Sequence, residues 1–345
     1  MYRLKSLFLY YTWECNLRCK HCWVHGGQAS QGSIGIDKSI EVCKSAIGLG
    51  TEFIKISGGE PLLYCDDIIE IANCVRKMDP NVALCLETNA TLITPNIAEK
   101  LNVFNAISVS LDSSNPNEHN SIRASSDAYS RTIEGIKALR KNGIEVGITS
   151  VVSNLDNFEK TDTLVELAKK LSVSRVKFNP IMNVGRAYRK GNSFYSITPF
   201  QMLELKKRYY RCDKVDVTIM LPCAYNMSIL APERSKLCSC DCLSLLSVLP
   251  SGRVGLCGEA MEIDELCFGD CNVETLENIW YHSAALEHLR HVVPHRLTGV
   301  CGNCRIKDVC KGACRVEGIK SGGTLNSPSY ICQYMHDKGY FHFGS

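Results

Sequence analysis

Cys15, Cys19 and Cys22 stand in the spacing C-x3-C-x2-C inside "WECNLRCKHCW". Three thiolates can hold three irons of a [4Fe–4S] cube and leave the fourth iron open, as catalytic metal sites keep an open position. A zinc knuckle would instead draw a fourth ligand from close by, and His21 or His25 is placed to serve. A second thiol set lies far along the chain. Cys242 is followed by nine residues, Gly252, four residues and Cys257; then come Cys301-x2-Cys304-x5-Cys310-x3-Cys314 and, after a gap, Cys332. Zinc ribbons and iron–sulfur clusters are the two chemistries such spacing allows.

The bulk numbers are ordinary apart from cysteine. Of 345 residues, 45% are hydrophobic and 22% charged, and 39 basic against 36 acidic residues leave +3, too little to imply nucleic acid. No apolar run approaches the ~20 residues of a membrane span, and "MYRLKSLFLYYTWEC" lacks the small-residue cleavage site of a signal peptide. Twenty cysteines without a secretory signal argue against disulfides and for a cytoplasmic, metal-binding protein. Cys43, Cys74 and Cys85 stand singly on apolar faces and read as buried free thiols.

These thiols need a scaffold, and the segments from residue 7 to about 220 supply one. The first strand is followed by "GIDKSIEVCKSAIGLG", with Asp37 as helix N-cap and Gly48 and Gly50 at its end. "EFIKIS" is a second strand running into "GGEP", and a helix covers about Asp66 to Lys77. "VALCLETN" and "AISVSLDS" are the third and fourth strands, with a short helix between them capped by Thr94 and opened by Pro95. A helix from Tyr129 to Lys141, a fifth strand "IEVGITSVV", a helix from Phe158 to Leu171 and a sixth strand "SRVKFNP" complete six βα steps. They predict an α/β fold, either an open parallel sheet or a partial barrel. Functional loops then gather at the carboxyl ends of the strands, which puts the three cysteines, Ser57 to Pro61, "ETNAT" and "SLDSS" on one rim. After a last helix-like segment, "TPFQMLELKKRYYR", the chain from about 221 to 345 turns rich in Cys, Gly, Pro and Ser, with few periodic helices: a second module stapled by metal.

In this order the residues resemble the radical S-adenosylmethionine (SAM) superfamily. C-x3-C-x2-C after the first strand is its hallmark, and "GGEP" after the second is its usual motif for the SAM amino group. The resemblance implies a partial (βα)6 TIM-like barrel over residues 1–220. It implies that Cys15, Cys19 and Cys22 ligate a [4Fe–4S] cluster whose open iron is taken by SAM, the source of a 5′-deoxyadenosyl radical. By matching position His21 lies near the adenine, Gly58, Gly59 and Glu60 at the amino group, and Ser110 and Arg123 at the SAM ribose and carboxylate.

The second thiol set closely resembles the SPASM domain of radical SAM maturases, with all seven cysteines and the glycine present. This implies two auxiliary [4Fe–4S] clusters, three in all. One would use Cys242, Cys257 and Cys314 with Cys238 or Cys240; the other Cys301, Cys304, Cys310 and Cys332. Cys212, Cys223, Cys267 and Cys271 are left over as structural or solvent-facing thiols.

Relatives of this architecture include anaerobic sulfatase-maturating enzymes, peptide-crosslinking maturases and tetrapyrrole-modifying enzymes. In the sulfatase maturases an Asp follows the cysteine matching Cys257 and acts as base; here "CGEAM" has Gly258 there and Glu259 next, so Glu259 is the one candidate base, with a solvated carboxylate the plain alternative. Crosslinking maturases often carry an N-terminal peptide-recognition domain. Fourteen residues before Cys15 leave no room for one, so a separate recognition protein, or leader capture on an exposed surface, is expected. "GRA" at Gly185 to Ala187 recurs in several SPASM families. The expectation is an enzyme modifying a side chain of a peptide or protein, fed by a flavodoxin- or ferredoxin-like electron donor. A tetrapyrrole-modifying enzyme is the second expectation, and a plain electron carrier the third, against which the open-site triplet with "GGEP" argues.

Overall fold

The computed structural model describes residues 2–24, 32–153, 158–181, 185–188, 197–209, 215–219, 241–260 and 262–340. His25, Cys212, Cys223, Cys238 and Cys240 lie outside these, as does the expected boundary between 220 and 221.

Strands and helices alternate through the first part: β1 (Ser6–Thr12), α1 (Ile36–Gly48), β2 (Phe53–Gly58), α2 (Cys65–Met78), β3 (Ala83–Thr88), α3 (Pro95–Lys100), β4 (Ala106–Ser110), α4 (Pro116–Arg123), α5 (Ala128–Lys141), β5 (Glu145–Val152), α6 (Thr161–Lys170), β6 (Arg175–Pro180), α7 (Pro199–Tyr209) and β7 (Asp216–Ile219). β1 to β7 are all parallel and adjacent in chain order. The parallel strands form a partial barrel, and β7 extends the expected six strands by one. β7 has only four residues, too few for alternation to stand out in the sequence.

Alternation along each strand divides the sheet into two faces. Leu7, Leu9, Ile54, Ile56, Leu84, Leu86, Ile107, Val109, Val146, Ile148, Val176 and Phe178 are buried against the helices. Each such side chain contributes about 1.5–3 kcal/mol. The intervening Phe8, Lys55, Glu87, Ser108, Thr149 and Lys177 occupy the inner face and are only partly buried. Cys85 belongs to this inner row, not to the apolar face expected of it.

Local signals set most helix ends. Thr94 accepts from the Ile97 amide ahead of Pro95. Asn115 accepts from Asn117 and Glu118 and so starts α4, a helix the sequence reading passes over. Asp37 does not cap α1; it sits in the first turn, where its charge favours the helix N-terminus, while Gly35 holds the cap.

The C-terminal part adds β8 (Leu245–Val248), β9 (Arg253–Gly255), β10 (Cys267–Asp270), α8 (Leu276–His282), α9 (Ala284–Val292), α10 (Gly299–Gly302), α11 (Lys307–Cys310), α12 (Arg315–Gly322) and α13 (Tyr330–Asp337). It is more helical than expected; the helices run four to nine residues, and short turns leave little periodicity to read. β8 pairs parallel with β1, Ser6 opposite Leu245 through Leu9 opposite Val248, and β9 and β10 follow antiparallel. One ten-stranded sheet therefore runs from β10 to β7. Among the described residues no helix is long and apolar enough to cross a membrane.

Candidate functional site

The loop after β1 carries the cysteine triplet, and neighbouring loops hold it by the backbone. Gly59 donates its N–H to the Thr12 carbonyl at 2.6 Å, and Glu60 donates to the Glu14 carbonyl at 2.7 Å. A Cβ at Gly58 would stand 2.3 Å from Thr12 O and one at Gly59 2.2 Å from Glu14 O. The two glycines are thus required by close approach of "GGE" to the strand leading into Cys15. From the other side, Arg186 of "GRA" donates its N–H to the Cys22 carbonyl at 2.9 Å and its Nε to the Cys19 carbonyl at 2.7 Å. A third tie runs through Asn16, which donates to Thr91 Oγ1 (2.8 Å) and accepts from Asn89 Nδ2 (2.9 Å).

Within this frame Cys15 and Cys22 pack beside the buried Cys19. Burial first, then the nearby Glu60, pushes the Cys15 thiol up to about 12. Burial raises Cys19 as well, against the pull of Arg123, whose Nη1 is 3.7 Å from its sulfur. Cys15 and Cys19 are thus held as thiols and become thiolates when a metal binds and the protons leave. These two with Cys22 beside them, and an arginine alongside, fit an iron–sulfur cluster. Among the described residues no three His, Cys, Asp or Glu side chains close on a single metal ion. A four-iron cube spaces its thiolates more widely than the ~2.3 Å bonds of one zinc do.

Glu60 is fully buried. Its carboxylate accepts from Leu62 N (3.1 Å), Thr88 Oγ1 (2.7 Å) and Asn89 N (2.7 Å). Burial lifts it to about 6 against the pull of those three donors. Three of about four lone-pair sites are filled, which leaves one for a ligand ammonium. Arg123 donates from Nε to Asp112 Oδ2 at 2.7 Å. His21 is buried with Nε2 3.9 Å from Asp112 Oδ1, and burial holds it down to about 4, so the ring is neutral at pH 7. Ser110 ends β4, half-buried, beside Thr149 of β5. The structure therefore brings Cys15, Cys19, Cys22, His21, Glu60 and Arg123 to one rim. It adds Asp112, Asn16, Asn89 and Arg186; the "SLDSS" and "ETNAT" loops and the "GRA" triplet marked three of these positions in the sequence, and nothing marked Asn16.

In the C-terminal part, Cys332 lies within electrostatic reach of Cys301, Cys310 and Cys304, so these four thiols share one place. Cys257 likewise lies within electrostatic reach of Cys314. Cys242 is buried with Arg315, Asp241 and Lys311 as its charged neighbours. Of the leftover thiols, Cys271 is buried, and Cys267 accepts from Arg253 at 2.8 Å.

The two parts meet at Gly258. Its N–H donates to the Tyr10 hydroxyl at 3.3 Å, and a Cβ there would stand 2.0 Å from Trp23 Cη2. No side chain fits at the position where the sulfatase maturases carry their Asp. Glu259 turns toward Lys177, Lys55 and Glu87 of the inner sheet face, and burial raises its carboxyl despite the lysines.

Comparison with known proteins agrees with this geometry. The Radical SAM superfamily profile matches residues 10–171, and the SPASM profile, an iron-sulfur cluster-binding domain, matches 238–305. The AdoMet-dependent heme synthase of Methanosarcina barkeri is 27% identical over 95% of this chain and 97% of its own. The mycofactocin maturase MftC of Mycolicibacterium smegmatis is 22% identical over 93% and 81%. Among solved structures, Streptococcus suis SuiB bound to S-adenosylmethionine superposes with a TM-score of 0.75 at 17% identity, over 96% of this chain and 77% of that one. The fold and site define an enzyme of the partial-barrel α/β class with a cysteine-rich C-terminal module. The chain belongs to the radical SAM superfamily and carries a SPASM iron–sulfur domain.

Proposed function

We propose that this enzyme uses SAM to abstract hydrogen from a side chain of a peptide or protein, in the maturation of a ribosomally made peptide. The observation that carries the radical SAM part is the docking of Gly59 and Glu60 onto Thr12 and Glu14, which joins the cysteine loop to the acidic loop at one rim. Cys15, Cys19 and Cys22 would hold a [4Fe–4S] cluster, with Gly58, Gly59, Glu60, Ser110, Arg123 and His21 around SAM. Cys242, Cys257 and Cys314, with Cys238 or Cys240, would hold one auxiliary cluster, and Cys301, Cys304, Cys310 and Cys332 the other. When bound, the N-terminal cluster and SAM supply one electron and a 5′-deoxyadenosyl radical. The chain's own residues then do the rest. Glu60 accepts from an ammonium, Arg123 presents a cation beside Cys19, and the neutral His21 offers a flat apolar surface.

The peptide assignment draws on the likeness to the maturase MftC. A specific observation supports a second reading: the heme synthase likeness runs from end to end of both chains, which suits a tetrapyrrole substrate. The packing of Trp23 and Tyr10 against Gly258 counts against formylglycine formation by a base at that position. A single-electron donor of the flavodoxin or ferredoxin type would feed the N-terminal cluster.

The test is metal content and SAM cleavage under anaerobic conditions. Reconstituted protein should hold about twelve irons, and the triple variant Cys15→Ala, Cys19→Ala, Cys22→Ala about eight. Dithionite-reduced wild type should form 5′-deoxyadenosine and the triple variant none. Protein holding only zinc would overturn the assignment. Transfer of deuterium into 5′-deoxyadenosine from a labelled peptide, or instead from a labelled iron tetrapyrrole, decides between the two substrates.

A further inference from the structure

Arg315 follows Cys314 directly, and its side chain is among the largest fully buried ones, 1% exposed. Nη1 donates to the carbonyls of Leu325 (3.0 Å) and Ser327 (2.8 Å), and Nη2 to the carbonyl of Gly312. Among the described residues Nε has no hydrogen-bond partner. Two glycines make the socket: a Cβ on Gly312 would stand 2.7 Å from Nη2, and one on Gly318 2.9 Å from it. Neutral carbonyls satisfy hydrogen bonds but do not cancel a charge. A cation buried this deeply is costly unless an anion is near. Its partners place it between the two thiol groups: Gly312 lies between Cys310 and Cys314, and Ser329, two residues past Ser327, donates its N–H to Cys301 Sγ at 3.3 Å. Glu317 is a carboxylate within its electrostatic reach. Under the reading given above, Cys314 belongs to one auxiliary cluster and Cys301 and Cys310 to the other.

We propose that Arg315 is an internal counter-cation shared by the two C-terminal iron–sulfur sites, and that its charge raises the reduction potential of both. This rests on the assignment of those sites. A cluster ligated by four thiolates is anionic, and reduction adds one more negative charge; a buried cation favours the reduced form. The socket holds the guanidinium where water cannot screen it.

The test is EPR-monitored redox titration of the full-length, anaerobically reconstituted protein, with iron analysis beside it. Arg315→Met should retain the C-terminal irons and lower both midpoints. At fixed potential the reduced-to-oxidised ratio should fall at least tenfold, which is about 59 mV for one electron. Arg315→Lys, which keeps the charge and loses the fork, should return close to wild type. Unchanged midpoints in iron-replete Arg315→Met overturn the proposal. Where Arg315→Met loses the C-terminal irons, Arg315→Lys decides: near-wild-type midpoints with full iron support the counter-charge, and loss of iron there too makes Arg315 a structural tie. A wild type lacking C-terminal clusters overturns the underlying assignment, and iron analysis shows that before any titration.

Discussion

The Nη1 of Arg123 lies 3.7 Å from the sulfur of Cys19, and what keeps it there is Asp112, whose Oδ2 is 2.7 Å from Arg123 Nε. Asp112 is buried, and its Oδ1 also accepts from the Val151 amide at 3.1 Å. Burial pushes its carboxyl up, but Arg123, His21 and His119 together outweigh that and hold it near 2. The pair thus stays ionised throughout the working range. Asp112→Asn leaves a buried guanidinium without its counter-charge. The expected cost is about 3 kcal/mol, the low end for breaking a buried pair. Anaerobic denaturant unfolding should show it, together with weaker SAM binding. Wild-type stability and affinity in this variant would refute the positioning role of Asp112.

Gly59→Ala asks for a Cβ 2.2 Å from a backbone oxygen of Glu14, where nothing can yield without moving the loop to Cys15. The expected result is selective. The N-terminal cluster is lost and SAM cleavage with it, while about two thirds of the iron remains in the C-terminal module. Uniform iron loss, or none, counts against the docking account.

Gly258 gives a second steric prediction. Because Trp23 Cη2 would lie 2.0 Å from a new Cβ, Gly258→Asp should destabilise by about 1–3 kcal/mol through overpacking. It should not confer formylglycine formation on a sulfatase-derived peptide. Appearance of that product would show that Trp23 moves aside.

His119 supplies the pH dependence. Its Nδ1 accepts the Asp112 amide at 3.2 Å, a bond only the neutral ring can make. Burial first, then Arg123, lowers it from 6.5 to about 4. Above pH 6.5 the ring is neutral folded or unfolded and costs nothing. Between 6.5 and about 4 only the unfolded chain takes the proton, so stability falls with pH by about 1.4 kcal/mol per unit, about 3 kcal/mol over the window. His119→Gln should flatten the curve of unfolding midpoint against pH by that one-proton slope. Parallel curves for the two proteins would sink the claim.

Cys301→Ala with Cys304→Ala separates electron relay from radical formation. These thiols share a place with Cys310 and Cys332. The variant should keep about eight irons, still form 5′-deoxyadenosine and still take deuterium from substrate, while mature product falls steeply. Full product yield would make the distal cluster structural.

The sequence by itself determined the chemistry and the order of the scaffold. Cysteine spacing is local, and so are the alternation of β1 to β6 and the caps at Thr94 and Pro95; each is set by a few neighbouring residues. What it did not carry was the meaning of single letters that depend on distant partners. Gly58 and Gly59 read as part of the motif for the SAM amino group, yet backbone at Thr12 and Glu14 is what forbids a side chain there. Gly258 reads as a missing acid, yet Trp23, more than two hundred residues away, fills its space. Arg315 drew no reading in the sequence, and only the packed module shows it buried. β8 joins the outer edge of β1 because that edge had unpaired backbone to satisfy. No period or motif marks such a pairing, since it exists only when both segments are folded.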